Sequence, residues 1–479
     1  MSLSAPNRWA VLGLVCVAQF MVILDATIVN VAMPTIEHSL HFSPTSLQWI
    51  VNAYTLVFGG FLLLGGRAAD LFGTQRLFIA GLVIFTGASL LNGLATSSSI
   101  LIGGRALQGL GAALVSPAAL AIVTRTFADG AERTKALGVW SAIAAGGGAA
   151  GLLLGGVLTE TLSWRWVFFI NLPIGIAAGL LALRMIHNDV DENKPATSDV
   201  AGAVTVTGGL LVLVYAIVKA SSYGWTSGKT WGLFAAAIIL LVSFIVIELR
   251  SRAPLIRLDI FRTRSLSVSN SAMLLVASGL FASFFFASLY VQQLLGYSPI
   301  QAGLAFLPFT LGIIVGATLA QNLIKRIGVR LVTVSGLTIA TFGMLIYTQL
   351  SLHGSYIGHL FPAVIVTSLG MGLTFVPVTL LATTNVPGED AGLASGIFNT
   401  SQQIGGALGL AILSTLAASR TSHKSGALGH DGALLSGYHL AFLVGAAWMA
   451  VAIVLLATLL RRRDVAAIQT ADEPVPIAA

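Results

Sequence analysis

The sequence predicts an all-α polytopic membrane protein: two six-helix halves plus two inserted helices. Three observations predict it. First, the 479 residues are 56% hydrophobic and only 9% charged, with mean hydropathy +0.90, whereas soluble domains carry about 25% charged residues. So much apolar surface needs a bilayer to cover it. Second, apolar runs of spanning length recur along the chain. Third, the chain repeats itself. Phe42-Ser43-Pro44, Gly73 and Gly81 return 255 residues later as Tyr297-Ser298-Pro299, Gly328 and Gly336. Gly138, Gly151 and Gly155 return 254 residues later as Gly392, Gly405 and Gly409.

The first apolar run, 9–32, follows Arg8 and has the outline of a signal peptide. It is long, contains Asp25 and lacks a small-x-small cleavage site, so it reads as an uncleaved helix. Spans 47–66 and 77–95 flank a tight Gly/Arg turn, and 99–124, 136–159 and 166–184 complete the first half. Spans 199–219 and 230–249 are the inserted pair. Spans 267–291, 300–323, 331–350, 357–381, 391–418 and 438–460 form the second half. The domain division is therefore 1–185, a linking segment 186–266, 267–463, and a polar tail 464–479 that reads as disordered. The 419–437 connection is the long outer loop.

Charge sets the expected orientation. With the N-terminus inside, nineteen of the 25 Lys and Arg fall in inside segments and five in outside ones, while Arg105 lies within a span. That bias places both termini in the cytoplasm. It also accounts for the net charge of +7 without a nucleic-acid partner. The only cysteine, Cys16, excludes an internal disulfide. The eight histidines lie in loops or at span ends with no ligand-spaced pair in a helix, which argues against a metal site or a histidine relay. No P-loop is present, which disfavours ATP drive.

Asp25 is the one carboxylate clearly inside a span, and an ionisable group in hydrocarbon marks a functional site by default. It lies nine residues before Pro34, about 14 Å from the outer end at the helical rise. Arg105 lies at a comparable depth on the fourth span, with Gln108 three residues on and on the same face. Paired halves with a site near the midplane describe a secondary transporter.

Several stretches carry a family resemblance. The turn Gly66-Arg67-Ala68-Ala69-Asp70-Leu71-Phe72-Gly73-Thr74-Gln75-Arg76 is similar to the signature loop of the major facilitator superfamily, though Leu71, Thr74 and Gln75 stand where more basic residues are usual. Arg105-Ala106-Leu107-Gln108-Gly109 resembles that superfamily's fourth-helix motif. Gly147, Gly151, Gly155 and Gly156 resemble the antiporter motif of the fifth helix, with Leu152 where a proline is usual. Leu24-Asp25-Ala26-Thr27 through Pro34, Trp164 through Gly175, and Gly392 through Gly409 are similar to the fourteen-helix drug:proton antiporters, the QacA/EmrB-like branch.

The resemblance implies a major facilitator fold in the cell membrane. The expected activity is proton-coupled export of drugs, antibiotics or other lipophilic small molecules, with no enzyme activity and no cofactor beyond the proton gradient. The partners implied are a small-molecule substrate, protons and the lipid bilayer; a monomer is left open. The alternatives are a facilitator or symporter of another small molecule and, in a different class, a membrane-embedded enzyme or sensor. Asp25 with Arg105 is the expected proton-coupling pair, because desolvation and a nearby guanidinium pull an acid's proton affinity in opposite directions. Gly66, Asp70, Gly73 and Arg76 are the expected cytoplasmic gate. Gly147, Gly151, Gly155 and Gly156 are the helix-five packing motif. The substrate candidates are Asn30 and Gln108 in the first half, and Asn270, Phe284, Tyr290, Met371 and Phe375 in the second. Met and Phe suit adaptable apolar binding.

Overall fold

In the computed structural model, residues 7–127, 131–186, 199–251, 254–383, 386 and 391–461 are described, and among them there is no strand. The chain forms two compact units. One comprises Met1–Leu255 and Val291–Leu304, the other Ile256–Tyr290 and Ala305–Ala479. The 464–479 tail lies outside the described residues.

The first unit holds α1 (Arg8–Leu40), α2 (Pro44–Leu47), α3 (Trp49–Phe72), α4 (Thr74–Gly93), α5 (Ser98–Thr126), α6 (Ala131–Thr161), α7 (Trp166–Phe169), α8 (Asn171–Met185), α9 (Val200–Tyr223) and α10 (Gly228–Arg250). The second holds α11 (Arg264–Leu289), most of α12 (Pro299–Ile327), α13 (Val329–Tyr347), α14 (Phe361–Thr383) and α15 (Ala391–Leu459). Among the described residues, twelve helical stretches are long and apolar enough to cross a membrane. Ile238, Ile239, Val242 and Leu249 stand exposed on α10, an apolar face of the kind that lipid covers. Helices suit this setting because each satisfies its own backbone hydrogen bonds.

The sequence repeat is written into the backbone. Ser43 caps α2 in a reciprocal box with Ser46. Ser298 and Gln301 make the same box at the start of α12: the Ser298 N–H donates to Gln301 Oε1 at 3.0 Å and the Gln301 N–H to Ser298 Oγ at 3.4 Å. Gly73 (φ 89°, ψ 140°) turns α3 into α4, and Gly328 (φ 83°, ψ 154°) turns α12 into α13. A Cβ on Gly81 would lie 2.8 Å from Val115 of α5, and one on Gly336 2.6 Å from Leu373 of α14. Gly151 and Gly155 seat α6 on α1, as Gly405 and Gly409 seat α15 on α11. These are close approaches that only small residues permit. Gly73 sits in a backbone region almost closed to other residues, so Gly73→Ala is expected to cost about 1–3 kcal/mol. Thermal melting of the purified protein should show this as a lowered Tm.

The expected 166–184 span is one apolar helical stretch, Trp166–Met185, in which α7 passes into α8 through Ile170 with helical backbone angles (φ −58°, ψ −27°). One feature departs from the expected span map. The 419–437 segment is not an irregular loop: α15 runs through it and leaves helical geometry only at Gly429 (φ 69°, ψ 179°). Its two arms fold back on each other, with Arg420 Nε donating to Ser436 Oγ at 3.2 Å and Gly437 pressed against the Ala417 carbonyl. Continuing the helix keeps the backbone of this polar segment hydrogen-bonded. The inserted pair, α9 and α10, lies at the expected positions. They pack with the first unit, where a Cβ on Gly60 of α3 would lie 2.1 Å from Thr207 Oγ1 and Trp49 meets Tyr215 at 6.3 Å.

Candidate functional site

The site is assembled from α1, α3, α4, α5, α7 and α8, all in the first unit. Asp25 and Arg105 are both essentially without solvent exposure, and Arg105 Nη1 donates to Asp25 Oδ2 at 2.6 Å. Asp25 Oδ1 accepts from Gln108 Nε2 at 2.7 Å and from Asn171 Nδ2 at 2.9 Å. Three donors on one carboxylate define a site organised around the anion.

Arg105 is held on several sides. Its Nε donates to the Ile50 carbonyl at 3.0 Å and its Nη1 to Gln108 Oε1 at 2.8 Å. Its guanidinium lies 4.3 Å from the centre of the Tyr54 ring and 5.9 Å from that of Phe168, a stacking that suits the planar ion. Gly109 permits the Tyr54 contact, since a Cβ there would lie 2.4 Å from the Tyr54 carbonyl. Gly104 likewise admits Asn92, whose Oδ1 would lie 2.0 Å from a Cβ at that position.

Gln108 fills every hydrogen-bonding position of its carboxamide. Its Oε1 accepts from Arg105 and from Asn92 Nδ2, each at 2.8 Å, while its Nε2 donates to Asp25 and Ser89 Oγ, each at 2.7 Å. Asn171 Nδ2 also donates to Ser89 Oγ at 2.9 Å. Among the described residues, Asn171 Oδ1, Asn92 Oδ1 and the Tyr54 hydroxyl find no hydrogen-bond partner, although all three are buried. Such a network can hold a charge in a dry interior and respond when that charge changes.

Asp25, Arg105 and Gln108 are thus brought together, and Asn30 is not. Five residues along α1 turn its side chain about 140° away from Asp25, where it donates to the carbonyls of Ala26 and Thr27. The remaining substrate candidates lie in the second unit. Asn270 Nδ2 donates to the Leu266 carbonyl and its Oδ1 accepts from Ser401. Tyr290 is fully buried and its hydroxyl donates to the Ser351 carbonyl at 2.8 Å. Met371 is fully buried. Phe284 and Phe375 are half-buried, and Phe284 meets Phe309 at 4.4 Å and Phe306 at 5.7 Å.

Of the expected cytoplasmic gate, Gly66 lies within α3, Gly73 forms the turn and Arg76 is exposed on α4. Asp70 is in the last turn of α3, and its side chain lies outside the described residues. The α6 glycines pack as a groove. Added Cβ atoms at Gly147, Gly151 and Gly155 would meet Ile23, Thr27 and the Ile28 carbonyl of α1, and one at Gly156 would lie 2.5 Å from the Pro299 carbonyl. With Leu152 in place of a proline, α6 continues unbroken through this region.

Four members of the network, Tyr54, Ser89, Asn92 and Asn171, are not among the site residues expected from the amino-acid sequence, although Asn171 lies inside one of the quoted motifs. Ser89 and Asn92 form a polar pair three residues apart in the last two turns of α4, and that spacing is a usable signal.

The family model of the Major Facilitator Superfamily matches residues 15–410. The puromycin resistance protein pur8 of Streptomyces alboniger is 41% identical over 420 residues, covering 87% of this chain and 83% of that protein. The cephamycin export protein CmcT of Amycolatopsis lactamdurans is 40% identical over 454 residues, covering 94% and 92%. Among solved structures, the POT family transporter PepTSo aligns with TM-score 0.70 at 15% identity, covering 94% of this chain and 97% of that one. A bacterial homologue of the lysosomal transporter Spinster aligns with TM-score 0.68 at 15% identity, covering 96% and 99%. These two share the fold. Helical architecture, internal repeat, motifs and relatives agree: the chain is a multi-pass membrane protein and belongs to the major facilitator superfamily of transporters.

Proposed function

We propose that this protein is a proton-coupled exporter that exchanges lipophilic small molecules, antibiotics among them, for protons across the cell membrane by alternating access. The relatives named for puromycin resistance and cephamycin export support the cargo class. The observation that carries the coupling is the fully buried Asp25 carboxylate, bound by one cation and two amides. Taking up a proton would cancel the charge that holds Arg105, so protonation and helix packing are linked through one residue. The proton gradient is the sole energy source, with no cofactor. Among the substrate candidates, Asn30, Phe284 and Phe375 keep exposed surface and can meet cargo. Tyr290 and Met371 are enclosed and act by supporting their helices.

Efflux-deficient cells expressing the protein provide the test. Loaded with a panel of cationic and neutral dyes, they should extrude at least one dye class, and a proton uncoupler should stop the extrusion. Extrusion that persists with the uncoupler present would refute proton coupling. No extrusion of any class would refute the drug-exporter reading.

A further inference from the structure

The hydrogen-bond pattern around Asp25 suits an anion and not an acid. Arg105 can only donate, and a carbonyl oxygen accepts from its guanidinium better than a hydroxyl does, so a protonated Asp25 keeps Oδ2 as its carbonyl oxygen and carries the proton on Oδ1, where it meets the N–H groups of Gln108 and Asn171. Donor would face donor, and a buried hydroxyl without an acceptor is costly.

The two amides differ in what they can do about it. Gln108 is pinned: turning it over would aim its NH2 at the Arg105 guanidinium and at Asn92 Nδ2, both donors. Asn171 has no such restraint. Its two side-chain hydrogen bonds both leave from Nδ2, to Asp25 and Ser89, and its Oδ1 is buried and unpartnered among the described residues. Rotation about the final side-chain torsion is soft for Asn. It would bring Oδ1 to Asp25 Oδ1–H, and the Ser89 hydroxyl can turn from acceptor to donor to match. Turning the amide exchanges an unpaired Oδ1 for an unpaired NH2, so the turn is favoured only when the proton on Asp25 needs an acceptor.

We infer that Asn171 is the donor–acceptor switch of the site: its amide donates to Asp25 while the carboxylate is charged and turns to accept when Asp25 carries the proton. The proton comes from water and rests on Asp25; no bond to Asn171 forms or breaks. Asn171 is thus a positioning residue, and the inference rests on the reading that Asp25 takes up a proton. The titratable groups facing Asp25 are Arg105 of α5 and Tyr54 of α3. Among the described residues, α4, α7 and α8 contribute the neutral Ser89, Asn92, Phe168 and Asn171, and α6 contributes the Gly147–Gly155 face.

The test is pH-difference infrared spectroscopy of the full chain in lipid vesicles. The wild type should show a protonated-carboxyl C=O band that Asp25→Asn abolishes. Asn171→Leu, similar in size but unable to accept, should move that band to higher wavenumber, and Asn171→Ser, whose hydroxyl can accept, should give a smaller displacement. Should N171L fail to fold, N171S against wild type carries the comparison. The Asn171 side-chain amide band should change with the same pH midpoint and vanish in both variants. A carboxyl band that stays in place in the variants, or an amide band insensitive to pH, would overturn the switch while leaving Asp25 as the proton site. Absence of any band that Asp25→Asn removes would instead overturn the proton-site reading, and the switch with it.

Discussion

Replacing Arg105 with alanine is expected to abolish transport and to destabilise the first unit by about 3–5 kcal/mol, the range for breaking a buried ion pair from one side. The loss is large because the substitution leaves Asp25 charged and enclosed, with Oδ2 unpartnered. It also releases the Ile50 carbonyl and one of the two donors to Gln108. Arg105→Lys should fare little better, since an ammonium on a flexible stem cannot reproduce the fork to Ile50, Asp25 and Gln108 or lie flat against Tyr54. Adding Asp25→Asn to Arg105→Ala should recover part of the stability and none of the proton coupling, because it removes the uncompensated charge. Chemical unfolding of wild type, both single variants and the double variant, followed by tryptophan fluorescence, measures the cycle. Equal stability of R105A and wild type would show that the pair does not hold these helices together.

Placing valine at Gly151 is expected to be the most damaging change away from the polar site. A single Cβ there would already stand 2.0 Å from Thr27 Oγ1 and 2.9 Å from the Leu24 carbonyl. The hydroxyl is the nearer obstacle and is held by the Ile23 and Leu24 carbonyls, while the backbone oxygen needs the smaller shift. Gly151→Ala should therefore cost about 1–3 kcal/mol, the usual overpacking range, and adding Thr27→Ala should relieve much of it. The two further methyls of Gly151→Val have no such remedy, so α1 must move off α6 and carry Asp25, the residue after Leu24, away from Arg105. Yield of monodisperse protein and vesicle transport should both collapse for G151V and be largely retained for G151A/T27A. Full transport by G151V would contradict the close α1–α6 packing.

The helices and the repeat were legible because both rest on local patterns: apolar run length, and glycines returning at a fixed offset. Asp25 and Arg105 were legible as charges that had to justify their burial, and Gln108 followed from helical spacing. Asn30 shares a helix with Asp25 but not a face, so it stands outside the carboxylate's network. Tyr54, Ser89 and Asn171 reach the carboxylate only through packing of α3, α4 and α8 on α1 and α5; the Ser89–Asn92 spacing marks a polar face in its own segment, but not the partner that the face meets. The 419–437 segment misled through composition: its glycines and polar residues read as loop, yet folding one arm against the other keeps it helical. The second unit sharpens the asymmetry of the site. Gly151 meets Leu24 and Gly405 meets Leu274, so the repeat sets Leu275 where Asp25 stands. The second half offers no matching carboxylate there.

The most direct measurement of the central claim is substrate transport driven by an imposed pH gradient in vesicles containing wild-type or Asp25→Asn protein. Aspartate and asparagine are nearly the same shape, so the variant should fold, bind cargo and exchange it down its own gradient. It should show no response to the pH gradient. Transport by Asp25→Asn that follows the pH gradient at the wild-type rate would contradict the account.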